Sequence, residues 1–83
     1  MTDQKIQTAI AACAVGLTRH IMAVEGLAQD DAYRKLCSTE TFKLLSNPDT
    51  RLFLEPNEYL CMCLDIERER GVDTLYATIK PEV

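Results

Sequence analysis

The stretch that decides the fold is residues 3–26, DQKIQTAIAACAVGLTRHIMAVEG. Within it Ile6, Ile10, Cys13, Leu17, Ile21 and Val24 recur at intervals of four, three, four, four and three. At about 100° per residue these positions fall in one stripe, with Ala9 and His20 at its edge. The spacing predicts a long amphipathic helix over roughly residues 3–24. Gly26 stands just past its end, where a left-handed cap is commonly needed. Ala11, Val15 and Met22 fall on the opposite side, beside Thr8 and Thr18, so the second face of this helix is half apolar.

Downstream signals are shorter. A second helix is expected over Gln29 to Cys37, with Asp30 and Asp31 in its first turn and Arg34 and Lys35 in its last, as the helix dipole favours. Ala32, Tyr33 and Leu36 would face inward. Ser38 reads as the N-cap of a third helix ending near Leu45, anchored by Phe42 and Leu45. Ser46-Asn47-Pro48-Asp49 is a turn cluster, because Pro presets φ while Asn and Asp bond their own backbone. Residues 50–54 are too few for periodicity to separate strand from helix. Pro56 suits the first turn of a fourth helix reaching about Arg70, burying Tyr59, Leu60, Cys63 and Ile66, with Gly71 as its stop. Beyond it, Val72, Leu75, Tyr76 and Ile79 keep helical spacing until Pro81, with Asp73 as a cap. A strand is the alternative there, since Leu75, Ala77 and Ile79 alternate.

Eighty-three residues, 47% apolar and 27% charged, describe a soluble globular chain and set a ceiling of one domain, residues 1–83. The expected class is all-α: a small bundle of four or five helices with a long N-terminal helix. A chain this short buries only about 60–65% of the surface its unfolded form exposes, so a lone core is marginal.

The charge balance is acidic, nine Lys plus Arg against thirteen Asp plus Glu, and the excess lies toward the C-terminal end. An acidic chain lacks the clustered cations that release counterions from nucleic-acid phosphates. Ile6 to Val24 is mostly apolar but interrupted by Gln7, Thr8, Thr18, Arg19 and His20, unlike the nearly unbroken run that a membrane span requires. Ile10-Ala11-Ala12-Cys13 has the residue types of a lipoprotein cleavage site, yet the apolar stretch before it is too short for a signal core. A cytoplasmic location with reduced thiols is therefore expected.

Chemistry-bearing sets are sparse. Cys13 and Cys37 are isolated, and Cys61-Met62-Cys63 has a single intervening residue. On a helix those two thiols point about 200° apart and cannot grip one ion. Cys13 and His20 share a face but lie two turns apart, about 10 Å. The four cysteines read as small apolar residues, and His20, the only histidine, as a core-edge residue with a hydrogen-bond partner. Gly16, Gly26 and Gly71 are scattered and make no phosphate cradle. Glu67 falls on the Leu60–Cys63 side of the fourth helix, where it would reach water or pair with a basic residue of a neighbouring helix. No catalytic residue, metal or cofactor is expected. Residues 27–47 also admit a helix–turn–helix reading, but the candidate recognition helix offers only Thr39, Glu40, Thr41, Lys43 and Ser46.

Ala32 and Leu36 one turn apart, then Ser38, Phe42, Leu45, the turn Asn47-Pro48-Asp49-Thr50, Leu52 and Pro56-Asn57-Glu58-Tyr59-Leu60 form a pattern over residues 27–60. It resembles a group of small bacterial helical proteins of unknown function. Those proteins often carry Ser or Thr before the second helix and before the Pro, where this chain has Ala28 and Glu55. The resemblance implies a small helical fold and supplies no activity.

The functional expectation is a non-enzymatic protein-interaction module, with a small antitoxin-like DNA-binding regulator as the alternative. Ala11, Val15, Thr18 and Met22 are the candidate interaction residues, because the back face of the first helix holds more apolar surface than one layer of helices covers. A two-fold homodimer through this face, or an unidentified protein partner, is expected, without nucleic acid or membrane.

Overall fold

A computed structural model describes residues 3–79. The described chain is all-helical in class and holds five α-helices: α1 (Asp3–Glu25), α2 (Gln29–Cys37), α3 (Glu40–Ser46), α4 (Asn57–Arg70) and α5 (Val72–Ile79). Two 3-10 turns, Pro48–Thr50 and Leu52–Leu54, join α3 to α4. Among the described residues there is no strand, so both ambiguous segments are helical. The expected stop at Pro81 lies outside the described residues. The radius of gyration, 12.4 Å, is close to the ~12 Å of a compact chain of this length.

α1 is the spine, packed against α2, α4 and the second 3-10 turn. Ile10, Ala14, Leu17 and Ile21 meet Ala32 and Leu36 of α2, Leu45 of α3, Leu52, and Leu60 and Leu64 of α4 in one buried cluster. Each fully buried leucine contributes roughly 1.5–3 kcal/mol of transfer free energy. The buried face is rotated from the most apolar stripe toward Ala14 and Thr18. Ile6 and Cys13 are only half-buried, and Val24 is 48% exposed. The small residues Ala14 and Thr18 are buried on that side, where α1 packs against the rest of the bundle.

Gly26 takes φ +68°, and its N–H donates to Met22 O at 2.9 Å, the left-handed cap that turns the chain into α2. Across that turn Lys35 of α2 pairs with Glu25. Ala32 and Leu36 are buried as expected, but Tyr33 is not; it points outward along α1. The α2–α3 boundary also differs by one residue. Ser38 keeps helical backbone and its hydroxyl donates to Lys35 O at 2.7 Å, closing α2. Thr39 is extended, and its hydroxyl accepts from Phe42 N at 3.1 Å, so Thr39 is the N-cap of α3.

Pro56 is the N-cap residue of α4, one position before its first turn. α4 buries Leu60, Cys63 and Leu64, while Tyr59 and Ile66 are half-buried. α5 begins directly after Gly71, at φ +95°, which places Asp73 inside the first turn and not at the cap. Leu75 is its buried anchor against the rest of the chain.

Glu67 is half-buried and makes no ion pair among the described residues. Its Oε2 accepts from Glu40 N at 2.8 Å, and its Oε1 accepts from Thr41 N at 2.8 Å and from the Thr41 hydroxyl at 2.7 Å. A carboxylate from α4 thus closes the amino end of α3, where orphan N–H groups and the helix dipole favour negative charge.

Candidate functional site: a groove between α1 and α2

Because α2 folds back beside α1 after a three-residue turn, its first two turns lie against the half-apolar back of α1. Between them is a cavity of about 500 Å³, lined by Ala11, Ala14, Val15, Thr18, Met22 and Tyr33. The four residues singled out from the sequence, Ala11, Val15, Thr18 and Met22, all line it, but not equivalently. Ala11 and Val15 are exposed, Val15 by 53%, and Met22 is half-buried. Thr18 is buried and forms part of the floor, because its hydroxyl donates to Ala14 O at 2.8 Å inside α1.

The opposite wall belongs to α2 and was not recognised in the sequence. Tyr33 stands 49% exposed across from Val15 and Met22, with its hydroxyl pushed above its ordinary range by a hydrogen bond with Cys37 one turn on. Arg19 and Asp30 complete the rim with opposite charges. Neither makes an ion pair or side-chain hydrogen bond among the described residues. A signal for this wall did exist, since Gln29, Asp30 and Tyr33 share one side of α2 at three- and four-residue spacing. Nothing in the local pattern says which way that side faces.

Several titratable groups elsewhere are engaged in structure. His20 of α1 shares a hydrogen bond with Asp65 of α4 at 2.9 Å, and Arg68 reaches the same carboxylate at 3.2 Å. The four thiols are separate and free. Cys63 is buried, and desolvation raises its thiol to about 11; burial also pushes up Cys13 and Cys61. None of these is the electropositive, accessible setting that activates a thiolate. Among the described residues no three His, Cys, Asp or Glu side chains gather in a way that holds a metal ion. The groove is apolar at its centre and oppositely charged at its rim.

No protein-family model, curated protein or solved structure matches the chain.

Proposed function

We propose that the chain is a non-enzymatic protein-interaction module, a small helical bundle that pairs with a second copy of itself through the α1–α2 groove. The observation that carries this reading is the pairing of exposed Val15 and Tyr33 across an apolar cleft whose rim holds a cation and an anion that are unpaired among the described residues. A two-fold contact is isologous, so the Arg19 rim of one copy meets the Asp30 rim of the other while Val15, Met22 and Tyr33 interdigitate. Aromatic and Met side chains at the centre with opposite charges at the edge is the composition of a binding patch. A small core also gains a second layer by this pairing.

Two further features support a cytoplasmic helical module. Four free thiols suit a reducing compartment. α1 is long and apolar enough to cross a membrane by length and composition, but Ile10, Leu17 and Ile21 are committed to the core. The helix–turn–helix alternative has less in its favour. A recognition helix reads bases with the side chains of its first turns. In α3 Thr41 is buried, and Glu67 sets a carboxylate at the end that phosphate would approach.

Light scattering during size exclusion at tens of micromolar tests the proposal. Wild-type protein runs at twice the 9.4 kDa chain mass and Val15→Glu runs as folded monomer. A monomeric wild type, or a fully dimeric Val15→Glu, removes this interface.

A further inference from the structure

A second cavity, of about 660 Å³, lies where the two 3-10 turns face the end of α5. Its apolar walls are Leu44, Leu52, Tyr76 and Ile79, and its two charged lining residues are Asp49 and Arg51. Its polar wall groups are largely spoken for. The Thr50 hydroxyl donates toward Leu44 O at 2.6 Å and accepts from Leu52 N at 3.3 Å, while the Tyr76 hydroxyl donates to Glu40 at 2.6 Å. Arg51 is different. It is exposed and makes no ion pair among the described residues.

Arg51 also holds an uncommon backbone. It is the one non-glycine residue with positive φ among those described, at φ 57° and ψ 21°. It closes the first 3-10 turn, with its N–H on Pro48 O at 3.1 Å, and opens the second. In this left-handed region the Cβ of an L-residue crowds the backbone, and Gly or Asn is the usual occupant. An Arg there holds a strained conformation, and such strain clusters at ligand clamps.

We propose that this cavity binds a small amphipathic monocarboxylate, with its apolar body against Leu44, Leu52, Tyr76 and Ile79 and its carboxylate on the Arg51 guanidinium. The volume falls within the range of small-molecule sites, about 300–1,000 Å³. A planar guanidinium is the group best matched to a carboxylate, taking both oxygens at once. Asp49 lies on the same rim, so Arg51 is the single cation in the lining that an anion can meet and a second negative charge faces the Asp49 carboxylate. That feature selects a monocarboxylate over a dicarboxylate or a phosphate ester. The site uses none of the α1–α2 groove residues and stands or falls separately from the dimer.

The test is a chemical-shift titration of the isotopically labelled full chain with octanoate, octan-1-ol and octanedioate. Octanoate is expected to move the amides of Leu44, Leu52 and Ile79 saturably and to bind about tenfold tighter than octan-1-ol, the scale of one charge-assisted hydrogen bond. Arg51→Gln abolishes that preference, and Asp49→Asn improves octanedioate. Arg51→Gly removes the charge while relieving the backbone, so it loses the preference while its spectrum stays that of the folded chain. Absence of saturable shifts, shifts centred on Val15 and Tyr33, equal binding of octanoate and octan-1-ol, or an unchanged preference in Arg51→Gln each overturns the proposal.

Discussion

Thr41 is bound twice by Glu67, through its backbone N–H at 2.8 Å and its hydroxyl at 2.7 Å, both to the same carboxylate oxygen. The residues are 26 apart in sequence, and this pair ties α3 to α4. Since α3 has only seven residues, it cannot hold its first turn by propensity alone. A carboxylate supplied from a longer helix does that work.

Removing Glu67 therefore destabilises α3 from a distance. Glu67→Ala is expected to cost about 2 kcal/mol in urea unfolding, the range of a lost cap with charged acceptors. Glu67→Gln keeps one acceptor oxygen and costs about half as much. In a double-mutant cycle with Thr41→Val the two sites couple by about 1 kcal/mol; additive losses would mean that the Thr41 hydroxyl bond to Glu67 is not made in solution.

The rotated face of α1 makes an opposite forecast for two residues of one apolar stripe. Leu17→Ala is expected to cost about 2–5 kcal/mol, because it opens a cavity among residues that cannot follow it inward. Val24→Ala is expected to change stability by no more than about 0.5 kcal/mol, since the side chain is half in water already. Equal losses would restore the stripe as the buried face.

Charge exchange tests the dimer more sharply than disruption does. Arg19→Asp alone sets like charges against Asp30 of the second copy and weakens association by about tenfold or more. Combining it with Asp30→Arg returns the complementarity and the dimer. Sedimentation velocity over a concentration series reads both. Failure of the double variant to recover would separate Arg19 and Asp30 from the contact.

Alkaline pH weakens the fold through groups whose proton-bound form it favours. Burial holds Cys63 at about 11 against an ordinary 9.0, and Tyr59 is raised by burial as well. Tyr76 is raised by its hydrogen bond to Glu40. For each, the folded value lies above the unfolded one, so the stabilisation is complete below the unfolded pKa and disappears as pH rises through the folded one. Urea midpoints are expected to be level up to about pH 9 and to fall between there and about pH 11. Thiol labelling at pH 8 gives a matching order: Cys37, the exposed thiol, reacts first, Cys13 and Cys61 follow, and Cys63 reacts only as the chain opens.

The helices themselves were legible in the sequence because their signals are local. Four-and-three spacing from Ile6 to Val24, Gly26 and Gly71 past helix ends, and paired charges across Gln29 to Cys37 each act within a few residues. They located α1, α2 and α4 to within a residue or two. The same locality limited the reading. Residues 50–54 were ambiguous because two 3-10 turns hinged on a left-handed Arg51 leave no period to detect. Ser38 and Thr39 are chemically equivalent caps, and only the backbone path between α2 and α3 distinguishes them.

Of the groove, helical spacing marked the α1 wall, since Ala11, Val15 and Met22 lie off the main stripe whatever else the chain does. The α2 wall, the buried floor at Thr18 and the rim pair Arg19 and Asp30 depend on the turn at Gly26 and on how closely α2 approaches Ala14 and Thr18. Glu67 shows the same division. Its place on the inner side of α4 was evident, but its partners come from a helix 26 residues away. Periodicity reports which side of an element is apolar; which neighbour covers that side is settled by packing between elements distant in sequence, and no local pattern carries that information.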